Sequence, residues 1–190
     1  TVQWDWVTVK EKQIIPVVPD TCVPPNGNFE QGDQKWDFLL QGSGSYSIES
    51  DANGKYVQGV LGNGGQIYAY SQQVPVKPNY VYNISYRVKV TPDSTQNLSA
   101  YGAITTIQEF SGGNATGYAQ NSTARNQTNG WETVTFEFIT SANAEVIRID
   151  IMYANNPGTV CWDDFSIQEK EAYEPVLLDA EYDHGGTEDT

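Results

Sequence analysis

Apolar and polar residues alternate along much of this chain with a period of two, as in Thr133-Val134-Thr135-Phe136-Glu137-Phe138. Such alternation sends successive side chains to opposite faces of a strand. Shorter runs, Tyr46-Ser47-Ile48 and Tyr56 to Val60, lie among Gly, Ser, Asn and Asp residues that punctuate strands, and Leu98 to Phe110 is apolar and β-branched. Helical periodicity of any length is absent. The expectation is an all-β chain folded as two antiparallel sheets in a sandwich. In Val160-Cys161-Trp162-Asp163-Asp164-Phe165-Ser166-Ile167, strict alternation puts Cys161, Asp163, Phe165 and Ile167 on one face and Trp162 and Asp164 on the other. With Phe165 and Ile167 in the core, Asp163 also faces inward, where an ionised carboxylate is costly unless a cation or several donors meet it. A bound metal is one remedy. Water or backbone amides at a frayed strand start are the other.

Around this core the chain divides into three parts: residues 1–25, a sandwich over 26–170 and an acidic tail or linker over 171–190. Ile14 to Pro25 holds four prolines and reads as an extended linker. Before it, Val2 to Lys12 matches Val160 to Lys170 as V-x-W-D-x-Φ-[TS]-[VI]-x-E-K, where Φ is apolar, an internal repeat with an offset of 158 residues. Residues 1–25 are then the end of a preceding module, or a strand donated to a neighbouring copy, giving a filament. Coincidence between two short β-segments is the plain alternative. The stretch from Ser111 to Gly130 is polar and reads as a long loop or irregular strand, a common place for function. The tail carries Glu171, Glu174, Asp179, Glu181, Asp183, Glu188 and Asp189.

Charge narrows the partners. Ten basic residues stand against twenty-four acidic ones for a net charge of −14, which repels phosphate backbones and anionic lipid. No apolar run approaches the ~20 residues of a membrane span. The chain begins at Thr1 without a signal peptide and is expected to be processed or cut from a longer protein. Twelve Tyr and five Trp sit among Thr, Asn, Gln and Ser rather than among Leu and Met. Sugars suit such surfaces, because their C–H faces stack on rings while their hydroxyls pair with amides. Five sequons, at Asn83, Asn97, Asn114, Asn121 and Asn126, are candidate glycosylation sites in a glycosylating host.

Two separated segments carry a family resemblance: an N-F-E-x-G opening, Asn28 to Gly32, and the W-D-D-F-S-I stretch, Trp162 to Ile167. Together they resemble the β-sandwich carbohydrate-binding modules grouped around families four, nine, sixteen and twenty-two, a galactose-binding-like jelly roll. Gln73 to Tyr82 followed by Ile84 to Val90 looks like that group's third and fourth strands, and Trp131 to Thr140 followed by Ala144 to Ile151 looks like its next pair. The resemblance covers roughly residues 24 to 169. It implies a structural calcium near the opening and closing strands, with Glu30 and Asp163 as ligands and Asp51 or Asp164 assisting; calcium takes six to eight oxygens, carbonyls included. In this type of sandwich the strands near Cys22 and Cys161 tend to be neighbours, which makes a disulfide between them plausible in an exported protein, with two buried free thiols as the alternative. It also implies a sugar groove across one sheet or a patch at the loop tips. Tyr68, Tyr70 and Gln66 share one strand face and are the first candidates for it, with Tyr101, Tyr118, Gln120 and Tyr153 from neighbouring segments. Trp131 reads as structural, and Trp36 as either.

Catalytic patterns are scarce. His184, the sole histidine, lies in the tail, so a Ser-His-Asp or Cys-His arrangement would rest on a remote residue. Glu30, Glu109, Glu132, Glu137 and Asp150 are carboxylates from which a glycosidase pair could be drawn. Binding is favoured over catalysis. The leading expectation is a secreted, non-catalytic module that binds a neutral polysaccharide by aromatic stacking, with calcium only stabilising it. The other is a structural repeat subunit of an extracellular filament, surface layer or adhesin, assembled from copies of itself through the N-terminal strand.

Overall fold

The structure is a computed structural model and describes residues 21–22, 24–94 and 102–173. The expected N-terminal strand, Asn97, Tyr101, His184 and most of the acidic tail lie outside these residues. Twelve strands follow in chain order: β1 Thr21–Cys22, β2 Trp36–Gln41, β3 Gly44–Asp51, β4 Gly54–Leu61, β5 Gln66–Ser71, β6 Val74–Pro75, β7 Tyr80–Pro92, β8 Ile104–Ser111, β9 Asn114–Asn121, β10 Glu132–Ile139, β11 Val146–Ala154 and β12 Gly158–Ala172. They form two antiparallel sheets, β10-β7-β12-β4-β3 with β1 on β12, and β2-β5-β11-β8-β9 with β6 on β11. The expected all-β sandwich is what the chain builds.

Alternation explains the core. From β7, Tyr82, Ile84, Tyr86, Val88 and Val90 point inward, and they meet Ile147, Ile149, Ile151 and Tyr153 of β11 across the sandwich. The intervening residues, such as Arg87 and Lys89 or Arg148 and Asp150, face outward.

The closing strand departs from strict alternation. Val160 and Trp162 lie in the core, and so do Phe165 and Ile167, so the inward face changes phase between them. A β-bulge does this: the register of β12 against β7 shifts between Asp163 and Ser166, and Asp164 takes a φ of +53°. Asp carries a short polar side chain and tolerates that left-handed region better than most residues. Asp163 therefore faces outward with Cys161, not inward with Phe165 as strict alternation requires. It remains 2% exposed, with the Arg87 guanidinium of the neighbouring strand on its carboxylate.

Phe165 gathers the opening of the chain. Its ring stacks on Tyr86 with centroids 5.1 Å apart and packs against Trp36 at 5.2 Å and Phe29 at 6.3 Å. Its N–H donates to Gly27 O at 2.9 Å. A Cβ at Gly27 would lie 2.6 Å from Phe165 O, so only glycine allows the approach. Asn26 braces the loop: its amide nitrogen donates to Gly32 O and Gln34 O, both at 2.8 Å, while Trp36 Nε1 donates to Asn26 O at 3.1 Å. Trp36 is thus structural.

The cysteines are not joined. Cys22 stands opposite Ile167, six residues along β12 from Cys161, and strands rise about 3.3 Å per residue, beyond the ~7 Å Cα separation a disulfide tolerates. Cys161 is a free, buried thiol 3.8 Å from Gln58 Oε1, and burial raises its pKa to about 11. The expected pairing rested on the closeness of two strands, whereas register decides which residues meet.

Phe165→Ala removes the shared ring of the aromatic cluster and lowers unfolding stability by about 3–5 kcal/mol in denaturant titrations. Asp164→Val and Asp164→Gly delete the same carboxylate, so their difference isolates the backbone; the valine variant is the less stable by about 1–3 kcal/mol. Peptide mapping after alkylation without reductant finds Cys161 modified only when denaturant is present. Because its folded pKa lies above the unfolded value, this thiol's effect on stability is flat below pH about 9 and destabilising from there to about 11, a drop that Cys161→Ala removes.

Candidate functional site

The outer face of the β2-β5-β11-β8-β9 sheet carries rows of side chains set by register. One row is apolar: Leu39, Tyr68, Met152 and Ile104 stand directly opposite one another across β2, β5, β11 and β8. Three strand gaps make it about 14 Å long, running perpendicular to the strands. Leu39 is 46% exposed, so the stripe is open to solvent at its β2 end. A polar row lies beside it, Asp37, Tyr70, Asp150, Thr106 and Asn121, and Arg148 with Gln108 follows one step further. On the other side Gln41 stands opposite Gln66.

The tyrosines on this face have different tasks. Tyr68 Oη donates to Gln66 Oε1 at 2.6 Å, which fixes the ring beside Leu39 and Met152. Tyr70 supports a cation: Arg148 Cζ lies 4.7 Å from its ring centroid and 5.0 Å from that of Phe110. Arg148 in turn donates twice to Asp150, Nε to Oδ1 at 2.6 Å and Nη2 to Oδ2 at 2.8 Å. Burial pushes the Asp150 carboxyl above its usual range although Arg148 pulls it down, while that hydrogen bond raises the guanidinium. The result is a flat apolar strip edged by a held ion pair and amide side chains. Such a strip offers apolar contact beside groups that can donate and accept hydrogen bonds.

Gln66, Tyr68 and Tyr70 lie together on this face as expected. Tyr153 does not: it points into the core with no exposed surface, and burial raises its pKa to about 12. Tyr118 and Gln120 sit at the sandwich edge, where Tyr118 packs 5.6 Å from Phe138 and Gln120 Nε2 donates to Glu137 O at 2.6 Å. In the sequence neither Leu39, Met152, Arg148 nor Gln108 is singled out for this face, and Asp150 is considered only as a glycosidase carboxylate. Of the sequon residues, Asn121 lies in the polar row and accepts from Thr106 Oγ1 at 2.7 Å, and Asn114 is exposed at the β8-β9 turn. Asn83 is half-buried in mid-sheet between Glu137 and Gln168, and Asn126 Oδ1 accepts from Asn156 at 3.2 Å.

The expected calcium ligands have other partners. Arg87 Nη2 donates to Asp163 Oδ2, and Asp163 Oδ1 accepts the N–H of Asp164 at 2.8 Å. Arg87 Nε lies 2.8 Å from Asp164 Oδ2, a charge contact rather than an aligned hydrogen bond. Glu30 Oε1 accepts from Lys55 N at 2.7 Å. Among the described residues no group of three or more His, Cys, Asp or Glu side chains is placed to hold a metal. In this arrangement a guanidinium meets the buried Asp163 charge, and Glu30 is engaged by the Lys55 backbone. Burial, the largest influence, still raises the Asp163 carboxyl.

The other carboxylates of interest also have partners of their own. Glu109 accepts from Ser141 N and Oγ at 2.8 and 2.6 Å, Glu132 pairs with Arg125 at 3.2 Å and Glu137 with Lys170 at 2.7 Å. No helix among the described residues is long and apolar enough to cross a membrane.

Comparison with known proteins bears on this face. No curated protein sequence matches the chain significantly. Among solved structures it is similar to the enzymatically active domain of tailspike protein 4 of bacteriophage CBA120, with a TM-score of 0.63 and 10% identity over 76% of this chain; it spans only 21% of that structure. It is also similar to a CBM4 module, with a TM-score of 0.50 and 19% identity over 76% of this chain and 98% of that one. A third likeness is to TmCBM61 in complex with β-1,4-galactotriose, with a TM-score of 0.50 and 18% identity over 76% of this chain and 96% of that one. At these identities the likeness is one of fold. The profile of the carbohydrate binding domain family CBM_4_9 matches residues 25–158, most of the chain, and the chain belongs to that family.

Proposed function

We propose that this chain is a non-catalytic module of an extracellular protein and binds a neutral polysaccharide on the outer face of the β2-β5-β11-β8-β9 sheet. The observation that carries the reading is the apolar row Leu39, Tyr68, Met152 and Ile104, flanked on both sides by hydrogen-bonding side chains. A glycan chain lying along the row would stack a sugar ring on Tyr68 and pass its hydroxyls to Gln66 on one side and to Arg148, Asp150 and Gln108 on the other. With a net charge of −14, the chain disfavours an acidic polysaccharide. Membership of a carbohydrate-binding family supports the ligand class.

Isothermal titration against xylohexaose, β-1,4-galactotriose and soluble β-glucans tests it. Tyr68→Ala weakens binding by about tenfold, near 1.4 kcal/mol, through loss of stacking. Tyr56→Ala, on the outer face of the opposite sheet, leaves affinity unchanged. No binding across the panel, or equal affinity in the Tyr68→Ala variant, overturns the assignment.

A further inference from the structure

A cleft lies away from that face, at the sandwich edge where β9, the end of β10 and the end of β12 converge. Its volume is about 290 Å³, and it is lined by Asn79, Tyr118, Ile139, Thr140, Ser141 and Tyr173. Tyr118 and Tyr173 are each 42% exposed and are the exposed aromatic residues of the described chain. The floor is rigid. Thr140 Oγ1 donates to Lys77 O at 2.7 Å and accepts from Tyr80 N at 2.8 Å. Ser141 Oγ donates to the buried Glu109 at 2.6 Å. Asn79, at a φ of +53°, donates its N–H to Ser141 O at 3.1 Å and accepts Tyr173 N at 2.7 Å, which ties the rim together.

Those bonds use the backbone and the floor hydroxyls and leave three polar groups over. The hydroxyls of Tyr118 and Tyr173 and the carboxamide of Asn79 have no hydrogen-bond partner among the described residues. No charged side chain lines the cleft. Two rings, an aliphatic side chain and three unspent donor-acceptor groups suit a neutral ring with apolar C–H faces and peripheral hydroxyls. The volume falls at the small end of ligand pockets, ~300–1,000 Å³, which limits the occupant to a single ring.

We propose that this edge cleft binds one pyranose unit of a neutral glycan, independently of the sheet face, so that the chain has two sugar sites. Tyr118 and Tyr173 supply the ring contacts, and Asn79 with the two phenols supplies the hydrogen bonds. A glycan end held in the cleft while another stretch lies along the sheet would gain by effective concentration.

The test is NMR shift mapping of the isotope-labelled full chain with D-glucose, D-xylose, D-galactose and L-arabinose. At least one of the four saturably shifts the amides of Asn79, Ser141 and Tyr173. Asn79→Gly keeps the left-handed backbone while deleting the carboxamide, and Tyr173→Ala deletes a ring at the sheet's end; each weakens that response by about tenfold. Tyr68→Ala leaves it unchanged, which separates this site from the sheet face whatever the fate of that assignment. The proposal is overturned if none of the sugars shifts these amides, or if both cleft variants respond as the parent does. It also falls if the cleft resonances move with protein concentration alone, which assigns the cleft to a second copy. Nuclear Overhauser contacts from either ring to residues beyond 173 would assign it to the chain's own tail, with the same consequence.

Discussion

The contact on which this sandwich depends is the ring of Phe165 against Tyr86, Trp36 and Phe29. These four residues come from the closing strand, a central strand, the first long strand and the opening loop, so one packed cluster closes the domain at the point where its two ends meet. Phe165 reaches it only because Asp164 adopts a left-handed backbone and the strand gains a residue. Without the bulge, Trp162 and Phe165 could not both be inside. The cost is a pair of acidic residues on the outer face, one of them almost fully buried, and Arg87 offsets it by contacting both carboxylates. Desolvation still leaves Asp163 harder to ionise than usual, as expected where burial outweighs a single ion pair.

Much of this was legible in the chain. Period-two alternation is a local property, and it foretold the all-β class and the inward rows. The two segments that resemble the family opening and closing do meet, through an aromatic cluster and the Phe165 to Gly27 hydrogen bond. The bulge was not legible, because an inserted residue leaves composition untouched and shifts only the phase. Tyr153 is a different case. It shares parity with Ile147, Ile149 and Ile151, so the same alternation places it in the core, and that signal outranked its chemistry as a ring. The opposite parity, Arg148, Asp150 and Met152, is the half of β11 that reaches the outer face. Assembly of the apolar row needed the pairing of four strands from distant parts of the chain, and no local pattern encodes that register.

The two outer faces differ in what covers their aromatic rings. On the β12 sheet, Trp131 is flanked by Arg87 at 4.9 Å and Lys89 at 5.4 Å and meets Tyr56 edge-on at 5.3 Å. A sugar stacking there would have to displace cations from the rings and leave the buried Asp163 carboxylate without its partner. On the β11 sheet Arg148 covers the rings of Tyr70 and Phe110, and this cation is neutralised by Asp150. The neighbouring row of Leu39, Tyr68, Met152 and Ile104 lacks such cover, so a ligand there gains apolar contact without breaking an ion pair. A bound partner is the ordinary reason for a surface to keep a contiguous apolar stripe of this kind.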